Sequence, residues 1–282
     1  MKMPGIAVFA VAAILAGIWI FSVAAKPAAD GAETYLGFDR NEYPGDGALA
    51  ILRKTFSFSS YWLGAPPGEK KSSWQGKREL LEKNGFGFAV LFNARETRSV
   101  KSEAGGAAMG LEDGKSAAAL AVQEGFGKGT VIYLDIEEGG RLPASYHAYL
   151  GAWFEEIIRA GFRAGVYCSG MPVSEGQGVS ITAARDIQAH IGQKSISYWI
   201  YNDACPPSPG CSFPTTPLSP AQSGFSAATI WQYGQSPRRA EFTAKCPAHY
   251  GADGNCYAPN DTGRKWFLDL NTSSSPNPSA PR

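Results

Sequence analysis

The feature that most constrains this sequence is an alternation. From Tyr35 onward there are eight short β-rich runs, at 35–40, 56–63, 86–94, 130–137, 164–170, 195–202, 228–234 and 265–271. Helical patterns lie between the first five. The stretch WQGKRELLEKN at 74–84 stops before Gly85, and the segment after Leu142 opens on Pro143, a good first helical residue, and stops before Gly161. Within it Leu150, Trp153, Phe154, Ile157 and Ile158 recur at the spacing of a helix packed on a sheet. Strands alternating with helices predict an α/β architecture with parallel pairing. Eight such units in about 240 residues predict a (β/α)8 TIM-like barrel. The competing open, doubly wound sheet lacks its GxGxxG fingerprint after the first run. Residues 205–226 and 235–264 are long, rich in Pro and Gly and without helical pattern, so the later helices are expected to be reduced and replaced by loops.

The two ends differ from this pattern. Lys2 precedes 21 uncharged residues from Gly5 to Ala25, followed by a linker at 26–34. A basic start, an apolar core and the small residues Val23-Ala24-Ala25 read as an export signal cleaved near Lys26, with a single membrane anchor as the alternative. The barrel domain is expected over 35–271. The last eleven residues, TSSSPNPSAPR at 272–282, carry no apolar pattern and are expected to be mobile.

An oxidising compartment would suit the cysteines. Cys205 and Cys211 bracket CPPSPGC, and Cys246 and Cys256 bracket CPAHYGADGNC, so each short loop is expected to be closed by its own disulfide, with Cys168 left free in an apolar strand. Neither spacing is the CxxC of a zinc site. His147, His190 and His249 lie far apart without ligand spacing, so no metal or other cofactor is expected. Lys plus Arg (26) balances Asp plus Glu (25), which argues against a nucleic-acid partner. Membrane contact is expected only through the N-terminal segment if it is retained, and the oligomeric state is left open.

The chemistry concentrates at strand ends. In TVIYLDIEE (130–138) side chains alternate, so Ile132, Leu134 and Ile136 share one face and Tyr133, Asp135 and Glu137 the other. If the aliphatic face meets the helices, Asp135 and Glu137 point to the barrel axis at the end where barrel enzymes place their chemistry. Carboxyls this close should split their pKa values and leave one able to donate a proton near neutral pH. Asp39 in LGFDR and Asp269 in KWFLDLN stand near the ends of strands 1 and 8, which are neighbours in a closed barrel. Tyr167, Trp199, Tyr201, Trp231 and Tyr233, with Asn202, Gln232 and Asn271, are expected to line a cleft suited to sugar rings. Tyr61 and Asn93 could also reach it. Asn260-Asp261-Thr262 and Asn271-Thr272-Ser273 match the glycosylation pattern, relevant only in a host that uses it.

The ordered pieces GFD (37–39), LDIE (134–137), GVYCSG (165–170), WIYN (199–202), WQYG (231–234) and LDLN (268–271) resemble the secreted glycoside-hydrolase-like TIM-barrel family, formerly a domain of unknown function, which is related to the family 25 glycoside hydrolases, the Chalaropsis-type lysozymes. The resemblance implies action on cell-wall polysaccharide. Glu137 would be general acid/base, and Asp135 would stabilise charge at the sugar or steer the substrate's acetamido group. Asp39 and Asp269 would set the charge and position of that pair, and Tyr167, Trp199, Trp231 and Tyr233 would line the cleft. Two other readings stay open: a non-catalytic glycan-binding barrel, and a phosphate-binding barrel enzyme using Gly234, Arg238 and Arg239 of GQSPRR.

Overall fold

A computed structural model describes Met1, residues 33–191 and residues 195–281. Apart from Met1, the expected export segment lies outside the described residues. Among these, no helix is long and apolar enough to cross a membrane.

Numbered along the chain, the strands are β1 (Tyr35–Asp39), β2 (Phe58–Trp62), β3 (Gly87–Asn93), β4 (Val131–Asp135), β5 (Arg163–Ser169), β6 (Val173–Gly176), β7 (Val179–Ile181), β8 (Ser197–Tyr201), β9 (Ala228–Gly234) and β10 (Asp269–Ser273). β6 and β7 form a separate hairpin; the other eight close a barrel in the order β1-β10-β9-β8-β5-β4-β3-β2. The TIM-like α/β barrel is therefore present. All-parallel pairing is not: β10 runs antiparallel to both β1 and β9. The cause lies in the chain before it. Between β9 and β10 there is only one short helix, α6 (Ala240–Thr243), with turns, so no crossover returns the chain to the barrel floor. The chain stays at the mouth and enters β10 from above. The expected strand at 265–271 accordingly becomes 269–273.

The remaining helices are α1 (Leu49–Leu52), α2 (Arg78–Lys83), α3 (Glu103–Gln123), α4 (Ala144–Arg159) and α5 (Ala183–His190). Ser102 caps α3 by accepting from the Gly105 N–H. Gly106, Gly110 and Gly114 recur every fourth residue of α3 and press on α4. A Cβ there would lie 2.2 Å from the Ser145 carbonyl O, 2.1 Å from the Tyr149 carbonyl O and 2.7 Å from Glu156 Cβ. Backbone-to-backbone approach explains why α3 keeps three residues that each cost about 1 kcal/mol in a helix interior. In α4, Leu150, Trp153, Phe154 and Ile157 are buried as expected, whereas Ile158 is 47% exposed and leaves the stripe. Pro143 is the cap of α4 rather than its first residue. After β8 a 3-10 turn at Pro220–Ser223 replaces a helix, in line with the expected reduction.

The barrel floor holds a second departure. The tail is not loose: Ser273 and Ser279 are buried. Ser279 N–H donates to the Phe88 carbonyl (2.8 Å), and its own carbonyl accepts from Val131 N–H (3.0 Å). Its Oγ accepts from Val90 N–H (2.9 Å), while Asn277 Oδ1 accepts from Phe88 N–H (2.9 Å). Pairing of β3 with β4 begins only at Val90↔Ile132, so backbone groups below that level need partners, and the tail supplies them. Gly87 permits the approach, since a Cβ there would lie 2.1 Å from the Pro276 carbonyl O.

The cysteines pair across loops rather than within them. Cys205 bonds Cys246 and Cys211 bonds Cys256, with Cα separations of 5.8 and 5.1 Å, which corrects the expected pairing. The loops after β8 and β9 lie against each other: Cys205 N–H donates to the Phe242 carbonyl, and a Cβ on Gly210 would meet His249 and Cys246. Cys168 is free and buried.

Candidate active site

Strand alternation delivers the side chains to the mouth as the sequence implies. On β4 and the residue that follows it, Ile132, Leu134 and Ile136 are fully buried on one face. Tyr133 turns inward, its ring meeting that of Trp199 edge-on at 5.7 Å. Asp135 ends the strand, 3% exposed, and Glu137 stands two residues beyond it, exposed to solvent yet with protein around most of it. Glu138 turns away and accepts from Thr97 N–H (2.6 Å). Asp39, the last residue of β1, pairs in register with Asp269, the first residue of β10. Because β10 descends, its start lies at the mouth. Four carboxyl groups thus share one end of the barrel.

A hydrogen-bond chain fixes their surroundings. Tyr167 OH donates to Gln232 Oε1 (2.9 Å), which turns Gln232 Nε2 toward Asp39 Oδ2 (2.9 Å). Trp199 Nε1 donates to Asn271 Oδ1 (2.8 Å), which turns Asn271 Nδ2 to the same Asp39 oxygen (2.8 Å). Each amide has its acceptor engaged, so its donor must face the carboxylate. Asp269 Oδ1 accepts from Ser236 N–H (2.5 Å). Tyr201 OH donates to the Glu137 carbonyl O (3.0 Å), and Arg239 lies over the Tyr201 ring.

The electrostatics follow from this crowding. Burial pushes Asp39 up to about 6, against the hydrogen bonds from Asn271 and Gln232 and with Glu137 adding to the rise. Burial, then the charges of Glu137 and Asp39, hold Asp135 well above the usual carboxylate range, and a hydrogen bond to Glu137 raises it further. Burial also raises Glu137, moderated by that same bond and by Arg239. Asp269 is raised by burial and by Asp39. One Asp135 oxygen, Oδ2, is buried without a hydrogen bond. Two adjacent carboxyls, both raised, can hold one proton between them, as expected of such a pair.

A pocket of about 150 Å³ sits here, walled by Asp39, Trp62, Leu91, Asp135, Glu137, Tyr167 and Asp269. It shares Asn41 and Asp269 with an adjoining pocket of about 320 Å³ that includes Arg40, Ser236 and Phe267. Several expected wall residues lie elsewhere. Trp231 and Tyr233 are fully buried on the face of β9 opposite Gln232, where Trp231 Nε1 donates to the Asn202 carbonyl (2.9 Å). Trp199 is fully buried beneath the site, not in its wall. Asn271 is fully buried, and the Asn202 amide donates to the Ser223 carbonyl (2.8 Å). Tyr61 turns away and donates to Glu124. Asn93 pairs in register with Asp135 but is not in the pocket wall. Arg239 forms a salt bridge with Asp203, so its charge is engaged rather than open to phosphate. Trp62 was missed; its position at the end of β2, two residues after inward Ser60, carried the signal. Trp62 Nε1 donates to the Arg40 carbonyl (3.2 Å), which fixes the ring in the wall.

Two solved structures share the fold. An uncharacterized protein of B. stearothermophilus aligns at 19% identity and TM-score 0.50, covering 84% of this chain and 94% of that one. The spore cortex lytic enzyme SleM of Clostridium perfringens aligns at 15% identity and TM-score 0.50, covering 86% of this chain and 68% of that one. No curated protein matches the sequence significantly. A family model, the Rv2525c-like, glycoside hydrolase-like domain, matches residues 65–209. That span contains Asp135, Glu137, Tyr167 and Tyr201, and the fold adds Asp39, Gln232 and Asp269 from either side of it. On this match the chain belongs to the Rv2525c-like family of glycoside hydrolase-like domains.

Proposed function

We propose that this protein is an exported glycoside hydrolase acting on cell-wall glycan in the manner of a muramidase. The observation that carries the reading is the Asp135–Glu137 pair: a buried carboxyl and an exposed one, both raised and both walling one pocket at the open end of the barrel. Glu137 is the general acid/base, because it alone of the pair reaches solvent. It protonates the glycosidic oxygen as the bond to the anomeric carbon breaks. Asp135 and Glu137 stand two residues apart on one face at the end of one strand, not on opposite sides of the cleft as pairs that flank a sugar do. Asp135 therefore works on the same side as Glu137. Its part is to hold the substrate's acetamido group, whose oxygen attacks the anomeric carbon, and to offset the positive charge that develops. Water then opens the cyclic intermediate, with Glu137 taking its proton. Asp39 and Asp269 set the field and position of the pair. Tyr167 is the aromatic wall, while Tyr201 positions the Glu137 backbone.

The family membership supports the chemistry, and the shared fold with a spore cortex lytic enzyme supports the polymer. Two disulfides and the apolar N-terminus support export. The test is release of new reducing ends from purified peptidoglycan and from chitooligosaccharides. Wild-type protein that binds these glycans without cleaving them would be a glycan-binding barrel instead.

A further inference from the structure

His147 and His190 are 43 positions apart in sequence, and the fold stacks their rings with centroids 3.7 Å apart and planes at 17°. Both flank Asp186 of α5, which is fully buried. His147 Nε2 lies 2.9 Å from Asp186 Oδ2, and His190 Nδ1 lies 3.6 Å from Oδ1. One ligand atom from each of the three residues falls within 4.8 Å of the others, and no other group among the described residues does this.

Four further observations bear on what the cluster holds. His147 Nε2 is buried and, despite its distance from the carboxylate, makes no aligned hydrogen bond. His190 Nδ1 also lies 2.8 Å from the Asp186 backbone carbonyl, which ties the ring to the turn that carries the carboxylate. Asp186 Oδ2 is itself oriented by Leu142 N–H (2.9 Å). The cluster borders a pocket of about 340 Å³ that Glu103 and Arg141 also reach, so a fourth position is open.

We propose that His147, Asp186 and His190 form a divalent-cation site on the outer helical layer, best suited to zinc. Two imidazoles and one carboxylate with one open position match zinc's tetrahedral preference. Metal–ligand bonds near 2.0–2.1 Å place neighbouring ligand atoms roughly 3.4 Å apart, so one imidazole must turn out of the stack and the cluster close by on the order of 1 Å. The nearby cation, Arg141 (3.5 Å from Asp186 Oδ1), is itself held by both oxygens of Glu175, which offsets its charge. A bound ion would join α4 to α5 and brace Leu142, five residues after Glu137.

The test is a zinc titration of untagged, full-length protein by calorimetry, with cobalt substitution read in the visible spectrum. Expected are one zinc per chain and the intense visible bands of tetrahedral cobalt. His147→Ala and His190→Ala should each weaken zinc by at least about tenfold, and His249→Ala should leave it unchanged. Wild-type protein that gives no tetrahedral cobalt spectrum overturns the proposal without recourse to any variant. So do folded His147→Ala and His190→Ala proteins that bind zinc as wild type does.

Discussion

The two ends of the barrel treat polar groups in opposite ways. At the floor, the backbone groups of Phe88, Val90 and Val131 that lack strand partners are matched by Asn277 and Ser279. At the mouth, four carboxyls are crowded together, one Asp135 oxygen is unpaired, and each acid is held above its ordinary pKa. The floor is arranged for stability, whereas the mouth keeps crowded carboxyls together at a cost that the proposed reaction would use. Loops tied to each other by Cys205–Cys246 and Cys211–Cys256 hold that unfavourable end in place.

The sharpest break of this contrast is Glu137→Gln. It should lower hydrolysis of cell-wall glycan by about 10²–10⁴-fold, the range for loss of a general acid, with thermal stability kept or raised because a crowded carboxyl is gone. Glu138→Gln, facing Thr97, is its adjacent control and should leave turnover near wild type; reducing-end assays compare the two. The covalent ties come next. Cys211→Ser opens a 45-residue link and should cost about 4 kcal/mol on the chain-entropy model, read by denaturant unfolding. Should peptide mapping instead join Cys205 to Cys211, the loops would not be held together at all.

A floor substitution should do the reverse of Glu137→Gln. Ser279→Ala leaves the buried Val90 N–H without its acceptor, which should cost about 1–3 kcal/mol, while turnover per folded molecule stays unchanged. The smallest effect concerns pH. Asp39 titrates near 6 when folded and near 3.8 otherwise, so the folded state holds its proton more tightly. Its stabilising contribution is complete below about pH 4 and is lost as pH rises through about 6. Asp39→Asn should therefore weaken the fall in Tm between pH 4 and pH 7, by about a few °C. A wild-type Tm that rises across that interval, with Asp39→Asn no flatter, would remove the crowding from the account.

The half of the chain up to β5 was the more legible, because there period and face coincide. Alternation in TVIYLDIEE separated Glu137 from Glu138 without any structure, and the α4 stripe failed only at Ile158. Four other features escaped for different physical reasons. The direction of β10 depends on the lack of a crossover helix before it, a property of 235–264 and not of the strand itself. Trp231 and Tyr233 share parity with each other and not with Gln232, so aromatic character misled where alternation would have excluded them. Sequence proximity points to the wrong disulfide partners, because the fold lays two distant loops side by side. The glycine stripe of α3 is visible as G-x-x-x-G-x-x-x-G, but its meaning requires knowing that α4 lies against it.

The descending last strand has a consequence for synthesis. β10 fills the gap between β9 and β1, and the residues after it form the floor. A nascent chain therefore lacks both the closing stave and the base until residues 269–281 have left the ribosome. Until then the hydrogen-bonding edges of β1 and β9 have no partner, and no earlier segment can take that place in register. Completion of the barrel therefore waits for β10 and the residues that follow it, so the growing chain remains open and threadable while everything before Asp269 is being made.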